Sequence, residues 1–567
     1  MLTRHQPEER RRAPRLACSI LATGQLQICD LSESGAYLES RGELRTTETQ
    51  SIVFQFSLKG APVSTQGRIV WRRPLKSGVY GYGIHFEETG TESRQGIRSF
   101  LTDSFASYAP EEVDTIVIGG GIAGMAATLA LKEKATRGSA RNQVRLLEAS
   151  DQLGGRLFAG SVGGLPYDAG AQFYTADSRI RDLIQSVGLQ GQEIPICPWQ
   201  GVALDSRKIE RFNLKKPWLG WGLEGLGGLL ALMKLPLQGI GFLTKVLLGQ
   251  FKSAYHVDAE KWLSLDDGET AGQWVRRALG EKALNNLIGP FMAGILFADP
   301  DKTSKGLLAW FMGTFLKKDL YTLKDGFGTL ANAISKKIPD LVDTNTRVTS
   351  VDVRSDGKVL VKTTSMKSYV TRRVILTAPA PVVSKIYSPA ASPERDLLNQ
   401  VEYAPAVVVT VAMKNRGWRH GSAKDDFYAM FIPLTDSSPL IGIGMESAKR
   451  GRVVDAGREV VQLYFRPEQS RRLVAKNAVE DEIRDLAVGA AERYFPGFSS
   501  SVAAAAIDIW PLAIPQFSPG YFKTLVQYKR YVEDQSPPVV LAGDYTALPG
   551  VESAYQSGLQ AARFANH

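Results

Sequence analysis

The stretch Val113–Gly124, VDTIVIGGGIAG, decides the fold of most of this chain. An apolar run breaks into glycines and then opens a second apolar run, which is the pattern of a strand, a turn and a helix. Gly119, Gly121 and Gly124 have the spacing G-x-G-x-x-G. At that spacing the first glycine permits a tight turn, the second lets the backbone approach a pyrophosphate, and the third lets helix and strand pack closely. The N–H groups at the helix start are then free to bind phosphate.

A second strand strengthens the interpretation of this turn. Residues Gln143–Glu148, QVRLLE, form an apolar run that ends in an acid. Glu148 follows the glycines near the distance at which a carboxylate binds a ribose hydroxyl. The pattern therefore predicts a dinucleotide-binding unit, and the alternative is an ordinary strand–helix–strand turn without a ligand.

Composition limits the possible classes of protein. At 567 residues the chain should form more than one domain, and a net charge of +10 favours contact with anions such as nucleotide phosphates or anionic lipid. No aromatic residues interleave with the basic ones, so nucleic acid is not expected as a partner. The three cysteines, Cys18, Cys29 and Cys197, and the five histidines show no metal-ligand spacing, so no metal site is expected. The charged N-terminus has no apolar core of a signal peptide, which predicts a cytoplasmic protein.

The first hundred residues are predicted to form a small β-barrel closed by a helix. Apolar side chains alternate with polar ones in three runs, and a later set recurs at helical spacing. The alternating residues are Ile52, Phe54, Phe56, Leu58, Ile69, Trp71, Tyr82, Ile84 and Phe86, and the helical set is Ile97, Phe100, Leu101 and Phe105.

Two short motifs stand out in this region, one in a flexible N-terminal arm and one at a strand end. Arg11 and Arg15 form R-x-x-x-R, and Asp30, Ser32 and Gly35 form D-x-S-x-x-G. Together with the closing YGYGIHF run they resemble the PilZ domain over about residues 8–107. The resemblance implies that these five residues bind cyclic di-GMP, and guanidinium groups are suited to stack on guanine and to bind phosphate oxygens in pairs. The alternatives are a solvated basic arm and an ordinary turn. We assign residues 1–107 to this domain and 108–112 to a linker.

Motifs after Glu148 indicate which dinucleotide is bound. Asp151–Arg156 reads DQLGGR, and Tyr167–Tyr174 reads YDAGAQFY. This order of motifs resembles the flavin amine oxidase superfamily, which includes monoamine oxidases, protoporphyrinogen oxidases and carotene desaturases. The resemblance implies that Gly154, Gly155 and Arg156 contact FAD. For Arg156 the alternative is a surface salt bridge.

Later segments follow the order of the same superfamily: GFGTL at 326–330, VILTAP at 374–379 and VVLAGD at 539–544. The resemblance implies that Val348 presents its backbone to adenine and that Asp544 meets the ribityl chain or the pyrophosphate. A helix start facing the flavin would stabilise the reduced, anionic ring. The residues placed there are Gly543, Glu552, Ser553 and Ala554. Ser553 departs from the glycine usual at its position, and the absence of cysteine from the C-terminal half predicts non-covalent FAD.

The predicted fold is multidomain: a small N-terminal β-barrel with a C-terminal helix, then an α/β Rossmann-type FAD-binding domain with an inserted α+β substrate domain. The FAD domain is assigned to residues 113–199, 321–402 and 499–567, and the substrate domain to 200–320 and 403–498. Within the latter, Trp218–Leu248 is the most apolar segment, interrupted by Glu224, Lys234 and Pro236. Two interpretations stay open: buried helices, or a patch resting in one membrane leaflet with Lys215, Lys216, Lys234 and Lys245 toward the headgroups.

The run Ile509–Tyr521 resembles the W-x-x-x-x-P-Q segment of protoporphyrinogen oxidases, and Gln172, Trp510 and Tyr521 are the candidate substrate wall. Core packing is the alternative for the two aromatic residues. No catalytic triad is evident and no catalytic residue can be named, as expected where flavin N5 accepts the hydride.

The predicted function is an FAD-dependent oxidoreductase acting on a lipophilic tetrapyrrole or polyene, reoxidised by O2 or a quinone and regulated by cyclic di-GMP. Amines are the alternative substrates. A non-catalytic sensor or docking protein is the alternative function. The predicted location is the cytoplasm or the inner face of the cytoplasmic membrane.

Overall fold

The computed structural model describes residues 16–22, 26–32, 34–41, 51–58, 61–76, 79–106, 110–137, 143–204, 209–214, 260–315, 318–365, 367–418, 427–449 and 458–565. Arg11, Arg15 and the apolar segment Trp218–Leu248 with its flanking lysines lie outside the described residues. The predictions made for them therefore stay predictions.

The N-terminal region is a closed antiparallel barrel. Its strands are β1 (Leu16–Ala22), β2 (Leu26–Ser32), β3 (Gly35–Arg41), β4 (Ser51–Leu58), β5 (Ala61–Lys76) and β6 (Val79–Thr89), and the order around the barrel is β1-β2-β3-β6-β5-β4. Helix α1 (Thr91–Ala106) follows. The alternation seen in the sequence is real, because Phe54 and Phe56 are buried whereas Val53 is 53% exposed. Ile97 and Leu101 of α1 belong to the same buried cluster as Phe54.

The next part of the chain contains the glycine-rich turn and a run of short strands. Its elements are β7 (Glu111–Ile118), α2 (Ile122–Arg137), β8 (Val144–Leu147), β9 (Ala159–Val162), β10 (Leu165–Asp168), β11 (Tyr174–Thr175), α3 (Ile180–Ser186), β12 (Glu193–Pro195), β13 (Trp199–Ala203) and β14 (Ile209–Asn213). Helices and two further strands follow: α4 (Glu260–Leu263), α5 (Ala271–Leu279), α6 (Glu281–Ala283), α7 (Gly289–Ile295), α8 (Lys305–Phe315), β15 (Leu320–Leu323), α9 (Gly328–Ser335) and β16 (Val342–Asp343).

The C-terminal part alternates long strands with helices. Its elements are β17 (Val348–Val353), β18 (Val359–Thr363), β19 (Ser368–Leu376), α10 (Ala380–Ile386), α11 (Pro393–Gln400), β20 (Glu402–Met413), β21 (Ala429–Phe431), β22 (Leu440–Met445), β23 (Glu459–Phe465), α12 (Pro467–Ala475), α13 (Glu480–Glu492), α14 (Phe498–Ser501), β24 (Val502–Gln516), α15 (Tyr521–Gln535), β25 (Val539–Leu541) and α16 (Val551–Phe564).

The first large sheet carries the glycine-rich turn. Its order is β16-β8-β7-β19-β18-β17, with β25 beside β19. β7 pairs in parallel with β8 and β19, and β19 pairs in parallel with β25. These strands are buried on both faces, as parallel strands usually are. Since parallel strands end at the same edge, the turn after β7 and the segment after β25 lie close together, although they are far apart in sequence.

The second large sheet has the order β14-β13-β21-β22-β23-β20-β24. It is antiparallel except where β13 pairs with β21. The long strand β24 pairs with β20 over its whole length. A domain boundary at residue 499, as drawn from the sequence, would remove β24 from its own sheet. A boundary after Gln516 fits the hydrogen bonding better, because the chain leaves this sheet there.

Candidate cofactor and substrate site

The three glycines of the first turn play different roles. Gly119 has φ of 110°, which side-chain-bearing residues rarely adopt. A β-carbon on Gly124 would lie 1.9 Å from the carbonyl oxygen of Gly119, so helix α2 can pack this closely only with glycine there. At Gly121 a β-carbon would have no atom within 4 Å. Two glycines therefore serve packing, and the middle one leaves open space beside the helix start, where a phosphate can approach.

The LGGR segment lies directly against this turn. The Gly154 N–H donates to the Gly120 carbonyl at 2.9 Å, and Gly121 and Gly154 pair as a short parallel bridge. The Glu148 carboxylate accepts from the Gly120 N–H at 2.6 Å and from the Ser150 N–H at 2.7 Å. The predicted ribose-binding acid is thus held at the turn by backbone donors.

Arg156 and Asp544 form a two-oxygen ion pair. Arg156 Nη1 lies 2.6 Å from Asp544 Oδ2, and Nη2 lies 3.0 Å from Oδ1. The same Nη1 donates to the Ala513 carbonyl at 2.7 Å. Asp544 is 6% exposed and Arg156 34% exposed. Burial opposes the charge on Arg156, but Asp544 outweighs it and raises the pKa of the guanidinium.

The pair joins the LGGR segment, the segment after β25 and strand β24 of the second sheet. The pair differs from the surface salt bridge that was the alternative for Arg156, because Asp544 is only 6% exposed.

The C-terminal helix begins beside the same region. Gly543 and Gly550 have φ of 145° and 140°, and a β-carbon at Gly550 would meet nothing within 4 Å. Ser553 and Ala554, in the first turn of α16, are 3% and 6% exposed. A β-carbon on Gly558 would lie 2.1 Å from the Ala123 carbonyl, so α16 packs directly on α2.

The side chain of Glu552 binds protein groups at the start of α3. Its carboxylate accepts from the Ile180 N–H at 2.9 Å and from the Ser178 hydroxyl, and it therefore caps α3. Only the backbone of Glu552 is left to meet a cofactor. Val348, the predicted adenine contact, is 8% exposed at the start of β17.

A buried lysine that the sequence did not single out fixes Asp168–Ala171, here called the D-x-G-A segment. Lys449, with no exposed surface, donates to Asp168 at 2.8 Å and to the Gln172 side chain at 2.9 Å, and it lies 2.6 Å from Glu446. The Gln172 amide nitrogen donates to the Asp168 carbonyl at 2.7 Å. Both ends of the Gln172 amide are thus occupied by protein groups. Lys449 sits in no recognisable motif, so only its burial in the fold reveals it.

The two aromatic residues predicted to line the substrate differ. Trp510 is partly exposed, and its indole N–H donates to the Ala169 carbonyl at 2.9 Å, which places it against the D-x-G-A segment. Tyr521 is fully buried. Its hydroxyl donates to the Tyr545 carbonyl at 2.8 Å, and its ring packs on Phe517 at 4.2 Å between centroids. Tyr521 is a core residue, so its assignment to the substrate wall was wrong.

Aromatic side chains surround the residue after Gln172. The Phe173 ring meets Phe315 of α8 edge-on at 5.6 Å and Tyr428 edge-on at 6.3 Å between centroids. From the second sheet, Gln462 donates to the Asp168 carbonyl at 2.8 Å and accepts from the Tyr464 hydroxyl at 2.8 Å. One face of the second sheet therefore covers the D-x-G-A segment, with aromatic rings beside it.

In the N-terminal barrel, Ser32 and Gly35 meet at the turn between β2 and β3. The Ser32 hydroxyl donates to the Gly35 carbonyl at 3.0 Å, and Ser32 is 1% exposed. A β-carbon on Gly35 would lie 2.1 Å from the Ile84 carbonyl oxygen. Asp30 pairs with Tyr37 across the same two strands. The motif thus shapes a turn on the barrel.

The residues around the glycine-rich turn fit FAD. Open space at Gly121 and Gly550, free N–H groups at two helix starts, and the Arg156–Asp544 pair match the needs of a pyrophosphate and a ribityl chain. Across the described part of the chain, no group of three or more His, Cys, Asp or Glu side chains could hold a metal ion. Among the described helices, none is long and apolar enough to cross a membrane.

Comparison with known proteins identifies the protein family. The family model for flavin containing amine oxidoreductase matches residues 122–565, and the PilZ domain model matches residues 9–103. The chain belongs to the flavin containing amine oxidoreductase family and carries a PilZ domain in front. It is therefore an FAD-dependent oxidoreductase, and the PilZ domain implies cyclic di-GMP as a second ligand.

Individual relatives refine the comparison. Protoporphyrinogen oxidase 1 of Arabidopsis thaliana is 22% identical, over 80% of this chain and 88% of its own length. A coproporphyrinogen III oxidase of Bacillus subtilis is 25% identical over 33% of this chain and 38% of its own.

Among solved structures, cyclohexylamine oxidase from Brevibacterium oxydans superimposes with a TM-score of 0.60 at 17% identity, covering 80% of this chain and 99% of that one. Putrescine oxidase bound to putrescine gives 0.59 at 18% identity, covering 80% and 99%. At such identities the structural likeness shows the fold alone.

Proposed function

We propose that this protein oxidises a lipophilic, ring-containing or polyene substrate, with tetrapyrroles as the first candidates, and that cyclic di-GMP regulates it. The observation that carries the substrate class is the character of the site beside the D-x-G-A segment. Phe173, Phe315 and Tyr428 form an aromatic group there. The resemblance to protoporphyrinogen oxidases over 80% of the chain supports the same choice.

The residues of this chain have distinct roles in the proposal. Gly119, Gly121, Gly124, Gly154 and Gly155 shape the pyrophosphate site, and Glu148 faces the ribose. Arg156 and Asp544 hold the ribityl–pyrophosphate region, while Gly543, Ser553, Ala554 and the backbone of Glu552 lie at the flavin end. Bound FAD would supply the hydride acceptor, and the positive end of α16 would favour negative charge at the flavin end of the site.

The proposed organisation keeps the FAD-binding domain in three segments, with the substrate domain inserted between them. The described part of the second sheet would form the substrate domain's contribution to the site. The apolar segment Trp218–Leu248 belongs to that half of the sequence, and we propose its contact with a membrane surface through Lys215, Lys216, Lys234 and Lys245 on composition alone.

An anaerobic reduction experiment tests the substrate class. Full-length protein carrying oxidised FAD is mixed separately with protoporphyrinogen IX, coproporphyrinogen III, a hydroxylated carotenoid and putrescine. Bleaching of the visible flavin absorbance by a porphyrinogen or the carotenoid, and not by putrescine, is the expected result. Bleaching by putrescine alone would replace the proposal by amine oxidation, and no bleaching by any of them would favour the non-catalytic sensor.

Regulation is tested at the N-terminal domain. Calorimetry with cyclic di-GMP should give binding heat for the wild type and little for Arg15→Ala. Equal heats for both proteins would remove Arg15 from the ligand site.

Flotation with anionic vesicles, with and without cyclic di-GMP, tests the membrane contact. Recovery of all protein in the soluble fraction would reject that contact.

A further inference from the structure

Asp508 lies on the face of the second sheet that covers the D-x-G-A segment. It is paired with Val408 of β20, which pairs on its other side with Tyr464 of β23. Directly paired residues of antiparallel strands point to the same face, so Asp508 and Tyr464 flank Val408 there. Trp510, two residues along β24, reaches the Ala169 carbonyl from the same face.

The carboxylate of Asp508 has one partner and one open oxygen. The Tyr167 hydroxyl donates to Oδ2 at 3.0 Å. Oδ1 has no hydrogen-bond partner among the described residues, and Asp508 is only partly buried. A carboxylate with a purely structural role usually has both oxygens satisfied. Here one oxygen is fixed by a tyrosine and the other is presented to the partly open face.

The surroundings of Asp508 hold few charges. Tyr167 faces it from β10 and Tyr464 from β23, and Lys449 and Asp168 act on Tyr464 from beyond. Burial raises the pKa of Asp508 to about 6, against the opposing effect of the Tyr167 hydrogen bond. Its paired residue Val408, the next same-face residue of β20, Ala406, and Ala506 on its own strand do not titrate.

We propose that Asp508 is the proton acceptor for substrate oxidation at this site, an inference that rests on the proposed function. Oxidation of a reduced tetrapyrrole removes a hydride and a proton and leaves a new double bond. Bound FAD would accept the hydride, which takes the electron pair of the broken C–H bond. The proton from the adjacent N–H goes to Oδ1 of Asp508, whose other oxygen stays on Tyr167. Substrate is oxidised, the cofactor is reduced, and the carboxylate becomes a carboxylic acid.

The test combines three variants with two readouts. Asp508→Asn removes the titrating carboxyl group. Tyr167→Phe keeps that carboxyl group and removes the hydroxyl that donates a hydrogen bond to it. Glu394→Gln is the matched control. Glu394 is a buried carboxyl of α11 with a pKa raised to about 7 by burial, and its partner is Tyr387. The first readout, which needs no substrate, is the visible absorbance of the oxidised flavin against pH, since a nearby charge shifts it. The second is the anaerobic flavin reduction rate with protoporphyrinogen IX against pH.

The wild type should show a spectral transition near pH 6 and a reduction rate that falls below that pH. Asp508→Asn should lose both the spectral transition and the fall in rate below pH 6, and its flavin should be reduced roughly 100-fold to 10,000-fold more slowly. Tyr167→Phe should move both to higher pH, because its hydroxyl lowers the pKa of Asp508. Glu394→Gln should match the wild type. Should Asp508→Asn fail to fold, the Tyr167→Phe shift still decides.

Failure of the inference and failure of the proposed function are distinguishable. In one outcome the spectral transition changes in the variants as expected, but no porphyrinogen reduces the flavin. Asp508 would then be the titrating group, but both its role as proton acceptor for that substrate and the proposed function would be rejected. Porphyrinogen reduction whose pH profile is identical in wild type, Asp508→Asn and Tyr167→Phe would overturn the assignment of Asp508 while leaving the proposed function standing.

Discussion

At the scale of single residues, the Arg156–Asp544 pair shows how distant segments build the site. A guanidinium binds a carboxylate with two parallel hydrogen bonds, which an ammonium cannot do. Arg156 also donates to the Ala513 carbonyl, so one side chain ties both large sheets together. These contacts therefore depend on the planar geometry of the Arg156 guanidinium as well as on its charge.

Arg156→Lys should weaken FAD binding by roughly tenfold or more, because the charge is kept and the paired geometry is lost. Titration of apoprotein with FAD, followed by quenching of flavin fluorescence, measures this. The control is Arg276→Lys, since Arg276 binds both oxygens of Asp301 at 2.5 and 2.9 Å on the surface. Equal losses in the two variants would contradict a role for Arg156 at the cofactor.

Glu394 predicts a pH dependence of stability. It is 2% exposed, and burial raises its pKa to about 7. A raised folded-state pKa favours the protonated form, so this contribution is fully present below the unfolded pKa of 4.5 and is lost as pH rises through about 7. Glu394→Gln should unfold at a temperature a few degrees above wild type at pH 8, equivalent to about 2 kcal/mol, and near wild type at pH 5. Thermal unfolding curves at both pH values test this, and a variant less stable at pH 8 would contradict it.

Sequence motifs predicted some of these residues and missed others. Arg156 and Asp544 lie in short patterns with glycines beside them, so resemblance could locate both. Lys449 follows a short helical turn and Asp508 lies within a strand, and their partners Asp168 and Tyr167 are hundreds of residues away. Only the folded sheets bring such pairs together. Tyr521 was misassigned because exposure of an aromatic residue cannot be read from composition.

At the scale of elements, the glycine-rich turn separates packing from binding. Gly121→Ala should leave the apoprotein fold intact, because a β-carbon there meets nothing within 4 Å. The methyl group should instead occupy the space that the pyrophosphate needs and weaken FAD binding at least tenfold. Thermal unfolding of apoprotein and FAD titration measure the two effects.

The matched control is Gly489→Ala in α13, where a β-carbon also meets nothing. Alanine in a helix interior should stabilise this variant by roughly 0.5–1 kcal/mol and leave FAD affinity unchanged. Wild-type FAD affinity in Gly121→Ala would show that the middle glycine does not face the phosphates.

The elements themselves were largely predictable where the pattern is periodic. Alternation predicted β4, β5 and β6 of the barrel, and apolar runs ending in glycine or acid predicted β7, β8 and β25. The boundary drawn from the sequence at residue 499 separates β24 from β20, the strand to which its hydrogen bonds go. Strand pairing is a long-range property that local pattern does not contain.

At the scale of the whole molecule, a PilZ barrel precedes a flavoenzyme in one chain. If the two are coupled, cyclic di-GMP should change the flavin reduction rate by about fivefold or more, since coupling energies between sites are commonly 1–3 kcal/mol. Stopped-flow reduction with and without the nucleotide measures this, with Arg15→Ala as the unresponsive control. A rate that is unchanged in the wild type would mean that the barrel serves another purpose, such as docking.

The most direct test of the cofactor site is the mass and absorbance spectrum of the ligand released when purified full-length protein is denatured. The site built by Gly121, Glu148, Arg156 and Asp544 predicts one equivalent of FAD, found in solution and not attached to the polypeptide. A colourless protein, or a flavin that stays with the denatured chain, would contradict it.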